Sequence, residues 1–231
     1  MLIDAAKARE IVSGLKWYFQ AKNLALKNAL SIKCPLSVDK QNDIRVFYSL
    51  YLANLLSATE MLLEKEYPFS QDFKQELEAA VSFPNHPNGE SNYSYLRELR
   101  NAVIHRGFEI SSSAYVKDDV PLIIAPQSIE NRSGNKSYSA FGFSLLEMIS
   151  LVESVIGKLI ESHLNAKGLL QSLSTQQEMA AETKAYLADA VEIPDRVKKM
   201  ASSHIDKLDQ EQMQLDQIKG FIAVLQENAL I

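Results

Sequence analysis

Cysteine is almost missing from this 231-residue chain: Cys34 stands alone. No intrachain disulfide can form, and a cysteine-based zinc site is excluded. Histidine is scarce as well, with His86, His105, His163 and His204 only, and no cluster of His, Asp and Glu falls at metal-ligand spacing. No metal or cofactor is therefore expected. Long apolar runs are absent too. The longest, Tyr48 to Leu63, is broken by Asn54, Ser57, Thr59 and Glu60 and is too short to span a bilayer. The first residues carry Asp4, Lys7, Arg9 and Glu10 where a signal peptide needs an apolar core. A cytoplasmic chain without a membrane span is expected. A net charge of −5 rules out a general nucleic-acid coat, and no internal repeat of 20–50 residues is present.

What is present is helical. Apolar residues make up 46% of the chain, enough for a real core in one large domain or two small ones. Residues 4–31 read as a first helix with Ile11, Val12, Leu15, Phe19 and Leu26 near one face, ending before Cys34-Pro35. A second is expected from about Asp43 to Glu66, with Phe47, Leu50, Tyr51, Leu55, Ala58 and Leu62 inward. A short amphipathic segment, 70–82, precedes the turn Phe83-Pro84-Asn85-His86-Pro87-Asn88-Gly89. A further helix should occupy about 90–106, capped by Ser91 or Asn92. Residues 108–138 break the pattern with β-rich runs around Asp118-Asp119, so a small hairpin insertion is expected over that helix. Its loop carries Arg132 and Lys136 as further candidate substrate contacts. Helical periodicity returns at Phe141–His163, apolar enough to be central. Two more polar helices, 165–190 and 195–228, are separated at Pro194. Met200, Ile205, Leu208, Leu215, Ile218, Ile222 and Leu225 form a seam there, suited to a hairpin that pairs with another chain or folds back. The expected architecture is an all-α antiparallel bundle over 1–163, with the 108–138 insertion and a C-terminal helical hairpin over 164–231.

Charge is uneven along this layout. Residues 1–40 hold seven Lys/Arg (Lys7, Arg9, Lys16, Lys22, Lys27, Lys33, Lys40) against three acids (Asp4, Glu10, Asp39). That excess is either a solvated helix face or one wall of a cleft for RNA.

Chemistry concentrates in Leu96-Arg97-Glu98-Leu99-Arg100-Asn101-Ala102-Val103-Ile104-His105-Arg106-Gly107. Leu96, Leu99 and Val103 make an apolar stripe, and Arg97, Asn101 and His105 a polar stripe across from it. Gly107 is a helix stop, which leaves His105 in the last turn, where the carbonyl end of the helix favours a cation. An imidazole held there is suited to carrying a proton near neutral pH. Arg100 and His105 are five residues apart; at roughly 100° per residue their directions differ by about 140°. A joint site therefore forms most easily where the helix end meets another surface, such as a second copy of the chain.

The spacing Arg100-Asn101-Ala102-Val103-Ile104-His105, an arginine and a histidine separated by four residues, resembles the signature of the HEPN domain (higher-eukaryote and prokaryote nucleotide-binding). That resemblance implies a small, mostly dimeric all-α domain. It also implies, for many relatives, a metal-independent endoribonuclease of toxin–antitoxin or phage-defence systems acting on RNA, with an antitoxin or other protein partner. Arg100 would then bind phosphate, His105 would serve as general acid or base, and Asn101 would orient the site, with Glu60, Arg97 and Arg106 in support. In several such families an acid near the place of Glu60 contacts the motif arginine; the alternative is a Glu60 exposed on its helix's polar edge. Some toxin subfamilies carry a tyrosine two residues after the histidine, where this chain has Gly107. Other relatives are non-catalytic nucleotide-binding or assembly modules, and that alternative stays open here.

Overall fold

The computed structural model describes residues 3–171 and 174–227, so the expected C-terminal extension is described apart from 172–173 and 228–231. Its first two helices run antiparallel and carry the core: α1 (Ala5–Ser31) and α2 (Val38–Leu63). Asp4 caps α1 by accepting the Lys7 amide at 2.7 Å. Ser37 caps α2 by accepting the Lys40 amide at 3.3 Å, which starts that helix five residues ahead of the expected Asp43. Tyr48 and Leu52 face inward, and Leu50, expected in the core, is 47% exposed. At 26 residues α2 is long and apolar enough to cross a membrane by length and composition, unlike the shorter run counted from Tyr48. In the fold it packs against α1 and two later helices, α3 (Ser70–Ala80) and α4 (Gly89–His105).

Between α4 and α5 (Leu145–Ala166) lie two antiparallel hairpins, β1 (Ala114–Lys117) with β2 (Val120–Ile123), and β3 (Ser128–Glu130) with β4 (Ser137–Ser139). Asp118 and Asp119 both take positive φ, 51° and 61°, as a two-residue hairpin turn requires. β2 buries Leu122 and Ile123 and packs on α5, while β3 and β4 lie against α4. The non-helical stretch is thus two hairpins reaching Ser139, and α5 begins only after Ser144 accepts the Glu147 amide at 3.1 Å.

The chain ends in three helices where two were expected: α6 (Gln176–Asp189), α7 (Asp195–Ile205) and α8 (Gln210–Gln226). Asp209 caps α8 through the Gln212 amide at 2.9 Å and so divides the expected 195–228 helix. α8 folds back along α1 and α5. Gly157 allows this, because a Cβ there would lie 2.1 Å from the Leu225 carbonyl oxygen. Of the expected seam, Ile205 and Leu225 are buried, while Met200, Leu208 and Leu215 stay exposed.

Two polar networks cross this apolar interior. Lys22, 1% exposed, donates to both oxygens of Glu153 at 2.8 and 2.9 Å and to Asn23 Oδ1 at 2.7 Å, and its ammonium lies 4.6 Å from the Phe19 ring centre. Tyr51 donates to Glu153 at 2.6 Å, and Asn23 reaches Glu227 at 3.0 Å. Lys22, placed by sequence in a solvated basic face or a cleft wall, is therefore an interior residue. Burial lowers its pKa, opposed by the Glu153 charge. In the second network His163, also 1% exposed, bonds the Tyr67 hydroxyl at 2.8 Å and Glu76 at 2.7 Å. Burial holds its pKa below the ordinary 6.5, against the raising effect of Glu76.

Removing one partner of a buried ion pair strands the other, which costs about 3–5 kcal/mol. Urea unfolding of Glu153→Ala should show a loss of that size, and the double replacement Lys22→Met with Glu153→Leu should recover much of it. A second expectation concerns pH. The unfolded chain takes up a proton on His163 at a higher pH than the folded chain does, so the stability His163 contributes is present above 6.5 and is lost as pH falls below it. His163→Gln should flatten the stability profile in that window.

Candidate functional site

The helix that carries the arginine–histidine spacing is fixed at both ends. Asn88 caps α4, accepting the Ser91 amide at 2.9 Å, so the cap lies ahead of the expected Ser91 or Asn92. Asn92 is instead buried, donating to the Val81 and His86 carbonyls at 2.8 Å each. Gly89 sits where a Cβ would meet the Glu78 carbonyl oxygen at 1.7 Å, which locks the helix start onto the end of α3. Tyr93 shares a 2.9 Å hydrogen bond with Thr59 of α2, and burial pushes its hydroxyl up to about 12. At the far end Gly107 takes φ +68° and the Phe108 amide returns to the Ala102 carbonyl at 3.0 Å, which releases the chain just after His105. The apolar stripe Leu96, Leu99 and Val103 is buried, as its spacing requires.

The polar residues of α4 divide between two surfaces. On the side facing α2, Arg100 Nη2 donates to Glu60 Oε1, joining the two residues that the resemblance pairs. Arg100 is mostly buried, and its Nε lacks a hydrogen-bond partner among the described residues. A buried unpartnered guanidinium nitrogen is costly and leaves one donor free.

On the other side a cleft of about 570 Å³ opens at the end of α4, lined by Glu98, Asn101, His105, Arg106 and Arg132. Arg106 forms its wall, donating to the Glu130 carbonyl of β3 at 2.9 Å and to the Glu98 carbonyl at 3.2 Å. The Glu98 carboxylate lies 3.9 Å from both Arg106 and Arg97, so its charge is flanked by two cations. Among the described residues, the side chains of Asn101, His105 and Arg132 make no hydrogen bond or ion pair, and His105 is exposed. The cleft thus offers two guanidinium groups, an imidazole and an amide around one space, a set that suits an anionic oxygen beside a proton-transfer group.

Of the residues singled out by sequence, the cleft gathers Asn101, His105, Arg106 and, from the insertion, Arg132. Arg100 and Glu60 lie on the α2 side, in keeping with the angular divergence along the helix. Arg97 and Lys136 line a neighbouring groove of about 310 Å³ with Tyr93 and Lys74. His86 is half-buried in its turn, and His204, on α7, bonds its own helix at the Met200 carbonyl. Glu98 was not singled out, although its spacing with Asn101 and His105, at i, i+3 and i+7, places all three on one face. Among the described residues no three His, Cys, Asp or Glu side chains gather as a metal site would need.

Comparison with family models, curated proteins and solved structures returns no match.

The two surfaces should respond differently to truncation. His105→Ala removes an exposed, unbonded side chain and should change unfolding free energy by less than about 0.5 kcal/mol. Arg100→Ala should cost about 1 kcal/mol or more, because it leaves Glu60 without its cation. Denaturant titration of the two variants side by side measures the contrast.

Proposed function

We propose that this chain is a HEPN-like, metal-independent endoribonuclease. The observation that carries the reading is the set of uncommitted side chains, Asn101, His105 and Arg132, around one cleft at the end of the helix bearing the motif. In this reading the RNA 2′-hydroxyl attacks the adjacent phosphorus while His105 takes its proton. The 5′-oxygen leaves with a proton supplied by a second acid, and a 2′,3′-cyclic phosphate and a 5′-hydroxyl remain. Arg132 and Arg106 flank the phosphate, and Asn101 orients it.

Arg100 enters from a second protomer. It points away from the cleft of its own chain, so a composite site needs two α4 helices facing each other. Ile104, one turn beyond Arg100 on α4, is 45% exposed, and Leu50 and Val46 of α2 are 47% and 50% exposed. That exposed apolar surface supports a homodimer, with its two motifs brought together there. The setting that accompanies the resemblance, a cytoplasmic toxin–antitoxin or phage-defence system with a protein partner, belongs to the same proposal.

One observation favours a second reading, a non-catalytic nucleotide-binding or assembly module. Arg100 already has a carboxylate partner, and an arginine so engaged serves the fold without any substrate.

Incubating purified protein with diverse RNAs in EDTA separates the two readings. The enzyme reading expects cleavage with 2′,3′-cyclic phosphate ends, abolished by His105→Ala and by Arg100→Ala. Arg100→Lys should recover little, since an ammonium lacks the planar fork that grips phosphate. Light scattering should give a mass near twice 25.9 kDa. Intact RNA throughout, with a His105→Ala variant that keeps full cellular function, would leave the binding module.

A further inference from the structure

The basic excess of residues 1–40 is largely consumed inside the fold. Lys7 pairs with Glu10, Arg9 with Glu182, Lys22 with Glu153 and Lys27 with Glu227. Lys40 donates to the carbonyls of Lys33 and Pro35. Lys33 is exposed to solvent. That leaves Lys16, which is half-buried and makes no hydrogen bond or ion pair among the described residues. A half-buried ammonium gives up hydration, and without a counter-charge that loss is uncompensated.

Lys16 lines a pocket of about 150 Å³ between α1 and α8, to which Leu169 also contributes. The pocket floor is mostly apolar: Ala8, Val12 and Leu169 are 1%, 7% and 3% exposed, beside a buried Gln214 whose amide is taken up by the Ser174 backbone. Its rim is polar, with Ser13 and Gln217 joining Lys16. Arg9 also lines it, held in place by Ser174 and by Glu182 at 2.5 Å. Among the described residues no carboxylate lines the pocket. Gly220 of α8 faces the lysine: a Cβ at that position would lie 2.9 Å from Lys16 Nζ, so the glycine makes room for the ammonium. An apolar floor beneath a single unpaired cation is a site for a molecule that is greasy at one end and negative at the other. The small volume limits the guest to a short chain.

We propose that this pocket binds a small organic anion, a carboxylate on a short alkyl chain, with the carboxylate on Lys16 and the chain over Val12 and Leu169. The site is separate from the α4 cleft and stands whatever that cleft does. Because its walls are α1 and α8, occupancy adds contacts that hold the C-terminal helix on the bundle.

The chain supplies its own reporter. Trp17 is the only tryptophan, follows Lys16 directly, and stands one turn beyond Ser13 on the same helix. Titrating the full chain with hexanoate should give a saturable change in Trp17 emission and a rise in thermal midpoint. Acetate, which has the head without the tail, and hexylammonium, which has the tail with the opposite charge, should give neither at equal concentration. Lys16→Met should weaken hexanoate at least tenfold, the range of a charge-assisted hydrogen bond, and Lys16→Arg should retain most of the affinity. Gly220→Ala, whose methyl displaces the ammonium, should weaken binding while Lys16 is still present. Circular dichroism and the unliganded thermal midpoint establish that each variant is folded. No saturable response to hexanoate, an equal response to hexylammonium, or unchanged affinity in a folded Lys16→Met variant would overturn the proposal.

Discussion

A lysine with no access to water sets the terms for the rest of this fold. Lys22 needs a counter-charge, and Glu153 supplies it from a helix 131 residues further along the chain. Tyr51 completes the shell on Glu153 from α2, and Asn23 carries the network on to Glu227 just past α8. Three helices and the end of a fourth therefore meet at one charged point, surrounded by Phe19 and other apolar side chains. Apolar packing tolerates small slips in register because one hydrocarbon surface resembles another. An ion pair buried in hydrocarbon tolerates none, since a shift of one residue strands both charges. The network fixes how α1, α2 and α5 sit against one another.

Much of the architecture was legible because helices announce themselves by period. The first helix, the short 70–80 helix, the motif helix and the long apolar helix all appear where their apolar stripes placed them, and the Asp118-Asp119 turn folds as its residue types require. The departures arose at caps. Ser37, Asn88, Ser144 and Asp209 each moved a boundary, and along α2 the buried stripe runs through Tyr48 and not Leu50. Capping depends on whether one side-chain oxygen faces one amide, and several nearby residues usually offer the right atom. The fate of the basic first forty residues was hidden for a related reason. A lysine that pairs with an acid 131 or 200 residues away leaves no local mark, and only the fold distinguishes a buried Lys22 from a solvated one.

The candidate site was legible in part. Helical geometry separated Arg100 from His105, and the structure assigns them to different surfaces. Arg132, a candidate contact by its place in the insertion, reaches the cleft from a loop 27 residues beyond His105. Sequence did not single out Glu98, whose carboxylate lies 3.9 Å from both Arg106 and Arg97. Arg106 in turn ties β3 to the motif helix, so the insertion and the end of α4 form one wall.

The way α8 closes the bundle has a bearing on synthesis. Asn23 and Lys27 contact Glu227, partners 204 and 200 residues distant. A ribosome adds about 5–20 residues per second, so those groups wait on the order of ten seconds or more for their partner to be made. During that interval α1 and α2 can pair, but the face of α1 that α8 will cover remains wet. A nascent chain halted before residue 227 lacks the acceptor of both contacts and leaves that flank of α1 open. The end of α8 is what closes it.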